Sequence, residues 1–417
     1  MDYALVDRLF LWWLANPAQP VLVGELNLVK TGQRGVSLTY ARGWLNEGVA
    51  LSEDLPLTDT EHLPKEKDAA AGAVDDARPD RWGERVIRHI DRPPRLSTLE
   101  LLYFAGDDRF GALGVSVSGT QYLPRERGPL PGLGDVEALH NLVQRVLAGQ
   151  PVNDVQRRLL APGTLGGARP KALVQAGGAQ WVLKFADQDM PAEPLVEHAT
   201  MTLAAKAGIQ VASTRLVPFG QGQAAVAVKR FDRESGPHSG GHRVHAQSAH
   251  VALRAAGAEL SYPELAQLLR RRGPTEGDMN RQQMAELFRR MVFNILIDNT
   301  DDHEKNHVLL VRPDQQLLLS PAFDVLPTGH ALGYQSLVVG ARGAESSMDN
   351  ALSQSRQFWL DPKAALAQAA DVARVVDGWR AHFEQAGVPA AVIEQLGAAI
   401  DRPFLREQRE KLMRLER

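Results

Sequence analysis

The class the sequence predicts is α+β, and three observations predict it. Alternating apolar runs with a hairpin signal gather in the first 60 residues. Two more strand-like runs meet at a double glycine, Gly177-Gly178. Beyond residue 242 the apolar residues mostly recur at helical spacing. The chain has 417 residues, 44% hydrophobic and 23% charged, with a formal net charge of −3. That length supports two or three domains and a substantial core. The charge gives no basic footprint for nucleic acid, so DNA contact would need a local patch or a partner. There is no cysteine, which excludes disulfides and thiolate chemistry and fits a reducing cytoplasm.

The elements follow in order. Leu9-Phe-Leu-Trp-Trp-Leu14 is apolar but too short to span a bilayer, and charged neighbours make it a poor signal peptide. It is expected to form a buried helix, and no other stretch could cross a membrane. Val21–Leu28 and Val36–Tyr40 alternate about Lys30–Gly35, a hairpin. Residues 60–80 are charged and alanine-rich, a loop leading into a helix from Arg78-Pro-Asp-Arg-Trp-Gly83 to about Ile90. Gly106–Gly114 is a glycine-punctuated turn into the run Val115–Val117. Pro124–Pro131 is the best linker candidate.

A helix is predicted from about Asp135, with Val136, Leu139, Leu142, Val143, Val146 and Leu147 on one face. Ala172–Val174 and Trp181–Phe185 are the mid-chain strands. A helix over Pro194–Lys206 is closed by Gly208. A strand at Ala224–Lys229 precedes a loop at 234–242. Ser261 and Glu264 form a capping box. Met284, Leu287, Phe288, Met291, Ile295 and Leu296 make a core-facing stripe. Val308–Val311 and Leu317–Leu319 read as a hairpin around Pro313-Asp314. From Asp361-Pro362 the pattern is helical to the end, broken near Gly387 and Asp401.

The chemistry centres on Asn299-Thr-Asp-Asp-His-Glu-Lys-Asn306. Asp301 precedes Asn306 by five residues, the D-x-x-x-x-N spacing of a phosphotransfer loop. There an aspartate takes the proton of the attacking hydroxyl and an asparagine holds a metal ion. Asp324 follows two strand-like runs later and supplies a second hard oxygen donor for Mg2+. Lys184, on the strand Trp-Val-Leu-Lys-Phe185, can neutralise the phosphates of ATP, and Glu197 on the next helix can pair with it. Gly163-Thr-Leu-Gly-Gly167 lets backbone approach a phosphate. It is not a Walker A loop, because no Gly-Lys-Ser/Thr follows. Phe231 and Asp232 lie after a strand, placed to contact adenine and ribose, while Arg230 and Arg233 read as solvated or structural. His303 and Lys305 can contact phosphate or hold the loop.

The same letters spell a competing motif. His303-Glu304-Lys-Asn-His307 is H-E-x-x-H, a zinc hydrolase signature when it lies on a helix. Asn299, Asp301 and Asp302 read as a turn, and His307 leads into a strand, so the helix it needs is not predicted.

These segments resemble the HipA-like serine/threonine kinases, the toxin halves of bacterial toxin–antitoxin systems. Asn299–Asn306 is similar to that family's catalytic loop, and Ser320-Pro-Ala-Phe-Asp-Val-Leu-Pro327 to its metal-binding segment. Thr164–Lys171 resembles its phosphate-side loop, bringing in Gly166, Gly167, Ala168 and Lys171. Val228–Arg233 resembles its hinge, and Leu51–Leu57 with Asp107–Gly114 its N-terminal region.

The resemblance implies a two-lobed, protein-kinase-like fold. Residues 1–125 would form a β-rich N-terminal subdomain, 126–240 the nucleotide-binding α/β lobe, and 241–417 the helical C-terminal lobe with the catalytic loop. It implies Mg2+ and ATP as cofactors and a protein hydroxyl as acceptor, with aminoacyl-tRNA synthetases phosphorylated by related kinases to arrest growth. It implies a small helix-turn-helix antitoxin partner (HipB-like) that carries most of the DNA binding, and a cytoplasmic location without a membrane. The family's self-phosphorylated regulatory serine aligns with Thr164, which can accept phosphate as well. The alternatives are a kinase-fold binding module that acts with the antitoxin as repressor, a small-molecule phosphotransferase, and the zinc hydrolase.

Overall fold

The computed structural model describes residues 4–125, 128–162, 167, 169–187, 190–220, 222–234 and 241–415. Thr164, Gly166 and Ala168 lie outside them. The chain gathers into two compact units. The first comprises residues 1–185, 219–222 and 229–247, the second 186–218, 223–228 and 248–417. Residues 186–218 and 223–228, within the expected nucleotide-binding segment, thus gather with the second unit. The linker candidate Pro124–Pro131 lies inside the first.

The first unit is built on a five-stranded sheet of order β4-β3-β2-β1-β5. Its strands are β1 (Arg8–Trp13), β2 (Val21–Val29), β3 (Gly35–Tyr40), β4 (Ala69–Ala70) and β5 (Leu113–Ser116). The Leu9–Leu14 segment expected as a helix is therefore mostly strand. Leu9 and Leu11 alternate inward with no exposed surface. A register shift between Leu11 and Trp12 then turns a second consecutive residue inward. A bulge of this kind breaks the period-2 signal that marks a strand in sequence. The predicted β2–β3 hairpin is present, with Leu26 opposite Leu38 and both fully buried.

Short helices close this unit: α1 (Arg42–Glu47), α2 (Arg81–Val86), α3 (Thr98–Phe104), α4 (Val136–Leu147) and α5 (Asp154–Leu159). The cause of α3 is local: Ser97 and Glu100 form a capping box, and buried Glu100 is paired with Arg95 at 2.8 Å. Helix α4 buries the predicted face through Val136, Leu139, Leu142, Val143 and Val146. The mid-chain hairpin is β6 (Lys171–Ala176) with β7 (Ala179–Lys184). Its turn residues Gly177 and Gly178 have φ of 58° and 72°, the left-handed pair a two-residue hairpin favours.

The second unit opens with α6 (Glu193–Lys206), closed at Gly208 with φ 75°. Then come β8 (Thr214–Phe219) and β9 (Gln223–Lys229), whose final residues belong to the first unit. β10 (His245–Ser248) marks the passage back to the second unit. α7 (Ala249–Ala255), α8 (Tyr262–Arg272) and α9 (Met279–Leu296) follow, then the hairpin of β11 (Val308–Val311) and β12 (Leu317–Leu319). The last elements are α10 (Met348–Ser353), α11 (Pro362–Asp377), α12 (Trp379–Gln385), α13 (Ala390–Ile400) and α14 (Pro403–Leu415).

Helix α9 is the core of this unit. Its stripe Met284, Leu287, Phe288, Met291, Ile295 and Leu296 has no exposed surface. It packs on α8 and on α11, whose buried positions include Ala365, Ala369, Ala370 and Ala373. Small residues there let the helix axes approach closely. No described helix is long and apolar enough to cross a membrane.

Candidate active site

The loop after α9 is held by a buried carboxylate at each end. Asp298 takes the left-handed conformation at φ 60° with no exposed surface. Its carboxylate pairs with Arg402 and accepts from the backbone N–H of Ala331 at 3.1 Å. Its carbonyl accepts from the N–H and hydroxyl of Thr328 at 3.0 and 2.9 Å. Thr300 is bonded to Thr328 at 2.7 Å, and Ser336 donates to the Thr300 carbonyl at 3.0 Å. The 298–300 backbone is thereby fixed to the 328–336 segment.

Asp302 anchors the other end. One oxygen, Oδ2, accepts from the Tyr262 hydroxyl, from Asn294 Nδ2 at 2.7 Å and from His307 Nε2 at 2.8 Å. Burial alone would raise its carboxyl; the His307 ring and the hydrogen bonds outweigh that and hold it low. Burial, then the Asp302 charge, pushes the Tyr262 phenol well up. This network leaves the neighbouring Asp301 exposed.

Asn306 is 5% exposed. Its Nδ2 donates to the Asp301 carbonyl at 3.3 Å, while its Oδ1 is buried and accepts no hydrogen bond among the described residues. An orphaned buried acceptor is costly unless something else fills it. Asp324 sits at φ 56°, a left-handed conformation that Asp tolerates better than most residues. Its neighbours Phe323 and Val325 line one cavity with Asp302, Asn306 and His307. The two segments expected to bind Mg2+ therefore border one cavity, with Asn306 among its lining residues and Asp324 not. The donor set, an amide oxygen and a carboxylate, fits a hard cation such as Mg2+.

Lys305 lies in the short 3-10 helix Glu304–Asn306, which His303 caps. Glu304 is engaged by His250 at 2.7 Å, a bond that pulls its carboxyl down to about 2. These contacts leave the zinc alternative without support. His307 is spent on Asp302, Glu304 on His250, and no α-helix carries the motif. Among the described residues no cluster of three or more His, Asp or Glu could hold a metal.

In the first unit, Lys171 and Lys184 face each other across the β6–β7 register. Directly opposed residues of an antiparallel pair share one face. Both are buried, at 1% and 7% exposure. Two buried ammonium groups on one face would repel, so the arrangement calls for anions. Asp80 supplies one, 2.8 Å from Lys171 Nζ. Gly167 has φ 101°, and a Cβ there would lie 3.2 Å from Lys171 Nζ, so glycine suits the position. Glu197 is buried on α6, in the second unit.

Asp232 departs from expectation. It has no exposed surface, and its oxygens are taken by Arg230 at 2.9 and 2.7 Å, Arg233 at 2.8 Å and the Gly111 N–H at 2.8 Å. Burial would raise it, but the two guanidinium groups hold it far below the carboxylate range. So Asp232 is a structural charge rather than a ribose contact, and Arg230 and Arg233 are structural. The arginines also donate to the carbonyls of Asp108, Arg109 and Gly111 at 2.8, 2.6 and 3.0 Å. The glycine-punctuated 106–114 turn and the 230–233 segment are thereby one locked piece, with Phe231 half-buried on it.

Sequence reasoning missed Asp80, Asp298, Tyr262 and Asn294, and took Asp302 only for a turn residue. Asp80 carried one signal, its position at a helix start.

Residues 163–379, more than half of the chain, match the family model of the HipA-like C-terminal domain. Residues 18–116 match that of the HipA N-terminal domain. A Sinorhizobium fredii protein that carries a kinase name, Y4dM, is 31% identical over 252 residues. The match covers 55% of this chain and 55% of that one, so the chain spans about half the length of its curated relative. The HipA toxin of Shewanella oneidensis, solved with HipB and operator DNA, superposes with a TM-score of 0.65 at 19% identity. That match covers 96% of this chain and 99% of the toxin, and it establishes the fold. The chain belongs to the HipA-like family.

Proposed function

We propose that the chain is an ATP- and Mg2+-dependent serine/threonine protein kinase, the toxin of a toxin–antitoxin pair. The observation that carries this reading is the buried, unpartnered Oδ1 of Asn306, on a cavity shared with the residues flanking Asp324. Asn306 and Asp324 would hold Mg2+, which neutralises phosphate charge in such reactions. Asp301, exposed and in the same loop as Asn306, would take the proton of a serine or threonine hydroxyl. Lys184 and Lys171 would position the phosphates, with Gly166, Gly167 and Ala168 letting the backbone approach. His303 and Lys305 are placed by sequence to contact phosphate or hold the loop. Glu197 would fix Lys184.

A host protein is the acceptor in this reading. The Shewanella HipA structure, solved with HipB and operator DNA, supports a helix-turn-helix antitoxin as partner and DNA contact through it. Phosphate on Thr164 would add charge beside Mg-ATP and switch the enzyme off. Undiminished ATP binding by Thr164→Asp would count against that switch.

The test is transfer of labelled phosphate from Mg-ATP to protein serine or threonine. Lys184→Met, Asn306→Ala and Asp324→Asn should each lower the rate by 10²-fold or more. Transfer that survives all three substitutions would overturn the reading.

A further inference from the structure

Helix α2 and its cap touch the chain at Pro162 and at Lys171. At the first point, Gly83 lies against Pro162. A Cβ at Gly83 would fall 2.1 Å from the Pro162 carbonyl oxygen and 2.7 Å from Pro79 Cβ, so no side chain fits. At the other, Trp82 Nε1 donates to the Lys171 carbonyl at 2.8 Å. Asp80 divides its carboxylate. Oδ1 accepts from the Gly83 N–H at 2.7 Å and caps the helix, while Oδ2 meets Lys171 Nζ at 2.8 Å. The side chains of this ion pair are 1% and 6% exposed, so solvent screens it little.

Lys171 faces Lys184 across the hairpin, and a carboxylate beside it offsets their repulsion. A nucleotide phosphate would offer the same charge to the same ammonium. Resting on the kinase reading, we infer that Asp80 is a positioning residue that competes with phosphate for Lys171. It holds the lysine on its strand while the site is empty and gives way when ATP binds. The HipA N-terminal domain match covers Asp80, so that domain contributes a residue to the nucleotide site.

Asp80→Asn tests this in the full chain, because asparagine caps a helix as well as aspartate does. The readout is the affinity for ATP relative to adenosine, which lacks the phosphates. The ratio should rise about tenfold in Asp80→Asn, as removing a competing buried charge predicts. A merely structural role would lower the melting temperature and leave the ratio unchanged. If Asp80→Asn does not fold, Asp80→Ser, which also caps the helix and carries no charge, gives the same comparison with Lys171 in place. The ratio should again rise when the carboxylate is removed. An unchanged or lower ratio overturns the inference. Failure of the wild type to bind ATP overturns the kinase reading, and this inference with it.

Discussion

Asp302 and Asp232 are buried carboxylates with opposite histories in the sequence. Asp302 looked like turn chemistry, yet one of its oxygens gathers three donors. His307, the last letter of the H-E-x-x-H motif, is one of those donors. Spacing found Asp301 and Asn306 because both lie in one short loop. It could not find Asp302's role, since Tyr262 lies 40 residues away. Asp302→Ala strands three buried donors and should destabilise the protein by roughly 3–5 kcal/mol, measured by urea unfolding.

Asp232→Asn breaks a buried pairing with two arginines and should also cost about 3–5 kcal/mol at neutral pH. Its sign with pH follows from the lowered carboxyl. The stabilisation is complete above the unfolded value of about 3.8 and is lost as pH falls toward the folded one. The gap between wild type and Asp232→Asn should therefore narrow below pH about 3.8. A gap constant with pH in unfolding curves would contradict the assignment.

Elements were legible where their pattern was local and unbroken. The stripe of α9, the hairpin β6–β7 and the pair β11–β12 stand where the sequence places them. Strand β1 was hidden because its bulge makes Leu11 and Trp12 face inward in succession. Gly24 on β2, opposite Leu11, shows how tightly that sheet is packed. A Cβ there would come within 2.2 Å of the Thr39 carbonyl oxygen. Gly24→Ala should cost about 1–3 kcal/mol through overpacking. In α9, Phe293→Ala should cost about 3–5 kcal/mol by opening a cavity. Thermal melts check both, and a loss under 1 kcal/mol in either would mean the site relaxes freely.

At the scale of the molecule, each of the two units carries its own set of candidate groups. The first holds opposed lysines and the anion that tempers them. The second holds Asn306 and Asp324, the proposed metal ligands, and Asp301, the proposed base. Sequence showed both halves as motifs in order. It could not show the contacts that set them, such as Asp80 with Lys171 or the 106–114 turn with Arg230 and Arg233. Those join residues 91 and 122 positions apart.

On the proposed reading these residues transfer phosphate to a protein hydroxyl. The most direct measurement is intact mass after incubation with Mg-ATP and a serine- and threonine-bearing protein acceptor, for wild type and Asp301→Asn. Wild type should add phosphate to itself or to the acceptor, and Asp301→Asn, equally folded, should add none. Equal phosphate from both, or none from a wild type shown to bind Mg-ATP, would contradict the claim.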